Sequence, residues 1–213
     1  MNSFFADHAF AGGQAVAARV MQPAQGVGLP AWPLLRGEPS PAAHEAPPPP
    51  PPPPPTLRRV EPADAEAFQN FVVRLAPASR RMRFHAAISS CSPAMLKALT
   101  HLDPAIHQAW VAVQPSAGET AVVGEARFVV CEGGADAELA IAVADDQRGS
   151  GLAHRLLNTV VQAAARAAVR VLFADVLEGN SPMFGLMQRH GFHVHRSKDV
   201  EAGLVRWQRK LTP

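Results

Sequence analysis

The chain has 213 residues, with 20 Lys and Arg against 18 Asp and Glu, a formal net charge of +2 and 2 cysteines. That balance supplies no strong field for nucleic acid, and Cys91 and Cys131 are too few for a disulfide framework or a cysteine-rich metal site. No apolar run reaches the ~20 residues of a membrane helix, and MNSFFADHAFAGG lacks the basic start and long apolar core of a secretory leader, so a cytoplasmic location is expected.

The 21 prolines are placed unevenly. An unbroken run, Pro47 to Pro55, has no backbone donors and a fixed φ, which predicts an extended polyproline II linker. Upstream, residues 1–46 mix Ala, Gly, Pro and Gln with scattered large apolars and read as a disordered tail. The folded domain is expected over 56–213.

LRRVE (57–61) is a strand candidate. Pro62 to Arg74 reads as a helix with Pro in its first turn and Phe68, Phe71, Val72 and Leu75 on one side. Helical pieces follow from Pro77 and over 93–101. HQAWVAV (107–113) and TAVVGEARFVV (120–130) are β-rich runs around a polar turn at 115–119, and ELAIAVA (138–144) is a further strand. Residues 152–168 carry Leu156, Leu157, Val160, Val161 and Ala164 at helical spacing. VRVLFADVL (169–177) is a buried strand, 181–190 a helix, and 192–195 and 204–210 closing strands. This order predicts a mixed α/β fold, mostly antiparallel, with one parallel pair where the crossover helix lies.

The stretch DDQRGSGLAHRLL (145–157) falls where a strand ends and a helix begins. There the first amides lack intrahelical acceptors, and the helix dipole favours negative charge. Gly149 and Gly151 admit a large anion without a Cβ in the way, Ala153 keeps the first turn slim, and Arg148 adds a cation. The pattern is a phosphate cradle. It is neither a Walker loop nor a full dinucleotide fingerprint.

RGSGLA resembles the [QR]-x-x-G-x-[GA] signature of the GNAT superfamily of acyl-CoA-dependent N-acyltransferases. ELAIAVADD before it, and LAHRLLNTVVQAAARAAV, VRVLFADVL and NSPMFGLMQRHGF after it, follow in that family's order. ASRRMRF with HQAWVAV and VVGEARFVV looks most like the protein-lysine acetylating subgroup. The resemblance implies a GNAT-like mixed sheet with a splayed parallel pair, acetyl-CoA as acyl donor, an amine acceptor (a protein lysine ahead of small amines), and no metal. It implies that the pantetheine arm pairs with the backbone of Ile141, Ala142 and Val143. It further implies that the pyrophosphate sits on the amides of Gly149, Ser150, Gly151, Leu152, Ala153 and His154, and that Asn180 is a cofactor-side residue. A monomer or dimer, with no membrane or nucleic-acid partner, completes the expectation.

Transfer to an amine needs a neutral nucleophile, and a lysine has a reference pKa of about 10.4, so a base must take its proton. Glu138 opens the strand that leads into the cradle and is the expected base, with Glu125 on the neighbouring strand in reserve. Where the family commonly has a Tyr to protonate the leaving thiolate, this chain has Met187, and it contains no Tyr. His193 and His195 share one face of a strand without a carboxylate or cysteine nearby in sequence, and read as ordinary strand histidines. Two other readings remain: a small-molecule amine acetyltransferase, and an acyl-CoA-binding regulatory module without turnover.

Overall fold

Two long apolar runs, buried on both faces over most of their length, build the centre of the molecule. The computed structural model describes residues 53–116, 119–196 and 200–211. The expected tail and all but the last three residues of the proline run lie outside the described residues. Strands β1 (Thr56–Arg59), β2 (His107–Ser116), β3 (Glu119–Val130) and β4 (Asp136–Val143) form an antiparallel half-sheet. Strands β5 (Val171–Leu177), β6 (His193–His195) and β7 (Leu204–Lys210) form a second antiparallel set. The two sets join in one seven-stranded sheet of order β1-β2-β3-β4-β5-β7-β6.

The join is the feature that matters. β4 and β5 run parallel, and their register holds only for Asp136↔Val171, Ala137↔Leu172 and Glu138↔Phe173. Beyond Glu138 the strands part, while β4 stays paired to β3 as far as Val143↔Gly124. One edge of β4 over 139–143 therefore faces a gap instead of a neighbouring strand.

Helices α1 (Ala65–Arg74), α2 (Pro77–Phe84) and α3 (Pro93–Thr100) lie on one face of β1–β4. Their core includes Phe68, Phe71, Val72, Leu99, Val111, Val122 and Val129. Helix α4 (Leu152–Arg166) crosses the opposite face, and α5 (Ser181–Arg189) follows β5. Leu156, Leu157, Val160 and Ala164 of α4 pack with Trp110, Phe128, Leu139, Leu172 and Trp207. Full burial of such a side chain contributes about 1.5–3 kcal/mol, so the two apolar layers drive the fold.

Several boundaries differ from the sequence expectation. Residues 62–64 form a 3-10 turn, and the α-helix starts at Ala65. β2 runs through Pro115 to Ser116, although a turn was expected there; β1 begins opposite Val113, so Pro115 pairs only with β3, where an edge position tolerates proline. The crossover helix ends at Arg166 because Ala168 adopts φ 58 and turns the chain, and β5 starts at Val171.

Candidate active site

Where β4 and β5 separate, the sheet opens into a narrow cleft. It is lined by Glu138, Leu139, Ala140 and Ile141 of β4, Ala174, Asp175 and Val176 of β5, Met82, Arg83 and His85 at the end of α2, and Asn180 and Met183 around the start of α5. Strand alternation puts Glu138 on the face away from α4, because its neighbours Ala137 and Leu139 both pack in the α4 core. Glu138 is 6 % exposed and occupies the last β4 position still paired with β5. The carboxyl is thus held at the vertex of the opening, in its wall.

Around the vertex the charges are ordered by partners. Asp175 accepts two bonds from Arg206, at 2.8 Å from Nε and 2.6 Å from Nη2, and the Arg206 guanidinium stacks over Phe173 at 4.3 Å. His85 ends α2 in the left-handed region at φ 54. Burial, with the Arg83 charge adding to it, holds the His85 pKa below the usual imidazole value, so the ring is neutral at pH 7.

Glu125, expected in reserve as a base, occupies a different environment. It is fully buried and receives Arg83 Nε on one oxygen and Arg127 Nε on the other, the latter at 2.9 Å. Burial pushes its pKa up, but the two guanidiniums outweigh that and hold it below the usual carboxylate range. A carboxylate locked in this way cannot accept a substrate proton, so the assignment is corrected: Glu125 is a structural anion. Arg127 also donates to Leu99 O at 3.0 Å and meets His107 Nε2 at 3.1 Å. Burial foremost, then the Arg127 charge, lowers the His107 pKa to about 3, and the neutral ring accepts from the guanidinium.

At the far end of the cleft's β4 wall, a 3-10 turn at Asp145–Gln147 leads into the glycine-rich loop. Gly149 and Gly151 take φ 78 and 82, conformations that other residues rarely adopt, and a Cβ at either would meet no atom within 4 Å. The space over both is open. Gly151 occupies the N-cap of α4 and has no side chain of its own to cap it. Leu152 N is taken by Ser150 Oγ at 3.3 Å, and Ala153 and His154 have no carbonyl one turn back to bond. Uncapped amides, open space and a helix dipole together fit a bulky anion such as a pyrophosphate.

The remaining expected residues divide by role. Ile141 lines the cleft, whereas Ala142 packs toward α1–α3 and Val143 toward α4, leaving their backbone along the gap. Leu152 is a core side chain and can offer only its backbone. Asn180 caps α5, its Oδ1 accepting from Met183 N at 3.3 Å, and the residue also lines the cleft. Met187 is fully buried, a thioether without a proton to give. Cys91 is buried and its thiol is pushed up to about 11, first by burial.

Sequence reasoning missed Met82, His85 and Asp175 as cleft residues, and it missed the contact between His154 Nδ1 and His190 Nε2 at 2.8 Å, which ties the first turn of α4 to the end of α5. A histidine at a helix end, two residues after a buried Arg, was a faint signal for His85. Nothing local pointed to Asp175.

Comparison with known proteins agrees with this architecture. Residues 56–193 match the family model of the acetyltransferase (GNAT) domain. An acetyltransferase of Pseudomonas aeruginosa is 32% identical over 149 residues, 70% of this chain and 80% of its own length. Acetyltransferase Pat of Mycolicibacterium smegmatis is 32% identical over 136 residues, 63% of this chain but only 40% of its own length. The crystal structure of the GNAT domain of S. lividans PAT superposes with a TM-score of 0.67 at 26% identity, covering 74% of this chain and 90% of that one. A splayed parallel strand pair beside a glycine-entered helix is the architecture of an acyl-CoA-dependent transferase. The chain belongs to the GNAT acetyltransferase family, and as such it is an enzyme whose acetyl donor is acetyl-CoA.

Proposed function

We propose that this enzyme transfers the acetyl group of acetyl-CoA to the side-chain amine of a protein lysine, with Glu138 as the proton acceptor. The carrying observation is the position of Glu138, buried in the cleft wall at the last β4–β5 pair before the strands part. Support for a lysine acceptor comes from the resemblance of ASRRMRF, HQAWVAV and VVGEARFVV to the protein-lysine acetylating subgroup.

In this reading the loop 148–154 carries the pyrophosphate on its amides, and the free edge of β4 at Ile141–Val143 receives the amide-rich arm, as a sheet edge accepts an added strand. Asn180 orients the arm from the other side. The amine nitrogen attacks the thioester carbonyl carbon, Glu138 takes the amine proton, and the C–S bond breaks to release CoA. With no Tyr in the chain and Met187 unable to donate, the thiolate takes its proton from water.

The test is CoA release with a lysine-containing peptide and with small primary amines, for wild type and Glu138→Gln. Gln keeps the size and removes the basicity, so turnover should fall by about 10²- to 10⁴-fold. Acetyl-CoA affinity should stay within about two-fold, and the deficit should shrink toward pH 10 as the amine deprotonates unaided. Wild-type turnover in Glu138→Gln, with chemistry rate-limiting, would remove the assignment. His85, neutral in the same cleft, would then be the group to replace.

A further inference from the structure

The Arg148 guanidinium lies in the exposed donor loop, yet it is already engaged. Its Nη2 pairs with Asp145 Oδ1 at 2.6 Å and donates to Ser79 Oγ at 2.8 Å. Asp145 in turn accepts from Ala76 N at 2.8 Å and from the Ser79 hydroxyl at 2.7 Å. Ala76 is the N-cap of α2 and Ser79 lies in its first turn. Ala76 has no side-chain acceptor to cap the helix, and a carboxylate from the loop after β4 instead ties down its backbone amide and the hydroxyl of Ser79 in the first turn.

Helix α2 supplies one wall of the cleft, through Met82, Arg83 and the following His85. Its other anchors act further along: Arg80 donates to the carbonyls of Leu75 and Ile88, at 2.6 and 2.9 Å, and Arg83 reaches Glu125. Ser79 and Ala76 therefore tie the start of this wall directly to the loop that holds Arg148.

We propose that Asp145 is a positioning residue that transmits occupancy of the donor loop to α2 and so to the cleft wall formed by Met82, Arg83 and His85. This rests on the reading of residues 148–154 as the seat of the acetyl-CoA phosphates. A phosphate that draws Arg148 away removes the cation from Asp145 and one donor from Ser79. The carboxylate, no longer neutralised, acts at full strength on the dipole of α2 and on the Ala76 amide. Ser79 keeps Asp145 as its acceptor. The first turn of α2 tightens, and the wall carrying Met82, Arg83 and His85 is held most firmly when the donor is bound. By linkage, whatever orders α2 strengthens donor binding by the same factor.

The experiment is amide hydrogen exchange over 77–84 in the full chain, with and without saturating acetyl-CoA, with calorimetry recording donor binding in the same samples. Exchange should slow by about two- to five-fold on binding, the range of a charge acting at a helix N-terminus. Ser79→Ala and Asp145→Asn should bind acetyl-CoA and lose this ligand-dependent slowing, while Ser79→Thr, which keeps the hydroxyl, should retain it. A purely structural role would shift exchange equally with and without ligand, and that result would overturn the proposal. Binding without any change over 77–84 in the wild type would overturn it too, while leaving the donor-loop reading intact. If acetyl-CoA fails to bind the wild type, or binds Gly151→Asp equally well, the donor-loop reading falls and the coupling falls with it.

Discussion

Replacing Glu125 by Gln removes a single negative charge from a site that holds two guanidiniums. Arg83 and Arg127 side chains are 2 % and 0 % exposed, so neither can recover the lost interaction from water. Breaking a buried ion pair in this way costs about 3–5 kcal/mol, because the partner charge is left uncompensated. For a domain of this size each kcal/mol lowers the melting temperature by roughly 2–4 °C. The expected drop is therefore roughly 6–20 °C, a large share of a total stability of about 5–15 kcal/mol. Differential scanning calorimetry at pH 7 on wild type and variant provides the reading. A control with Arg83→Met, Glu125→Met and Arg127→Met together should recover much of the loss, since an apolar replacement leaves no charge stranded. A Glu125→Gln drop below about 1 kcal/mol would refute the argument that the anion compensates both cations.

Two more outcomes follow from the geometry. His107 is neutral in the fold with a pKa near about 3 and titrates near 6.5 when unfolded, so the unfolded chain takes up a proton that the folded one refuses. Its stability contribution is complete above pH 6.5 and is lost as pH falls toward 3, by up to ~1.4 kcal/mol per pH unit. Melts between pH 7 and 5 should therefore show a steeper decline in the wild type than in His107→Gln, and parallel slopes would refute it. Gly151→Asp forces a φ of 82 on a residue with a Cβ and sets a carboxylate in the open space over the loop. The variant should lose the rise in melting temperature that acetyl-CoA gives the wild type, and an undiminished rise would move the donor site elsewhere.

The parts legible in the sequence are those whose cause is local. Leu156, Leu157 and Val160 announce α4 by their spacing, and Gly149 and Gly151 announce the loop because a left-handed turn before a helix needs them. The order of strands followed from hydrophobic runs and from the resemblance. The Arg83–Glu125–Arg127–His107 network was not legible, because its members come from α2, β2 and β3 and meet only when the sheet forms. Glu125 consequently read as a spare base; its two partners decide otherwise. Asp175 and Ser79 were missed for the same reason, since Arg206 lies 31 residues from the first and Asp145 lies 66 residues from the second. Asn180 was singled out through the resemblance, but its role as a helix cap emerges only from the structure.

The three-pair seam between β4 and β5 makes the sheet two leaves on a short hinge. β3 is stitched to β4 by seven backbone pairs and β5 to β7 by seven more, whereas the hinge between the leaves has only Asp136↔Val171, Ala137↔Leu172 and Glu138↔Phe173. A seam with few backbone hydrogen bonds opens locally at lower cost than a fully paired one. The slot between the leaves is thus a place where the sheet can loosen without breaking either leaf. A donor that contacts both edges acts as a fastener across the hinge, and its departure after each turnover returns the leaves to their looser state.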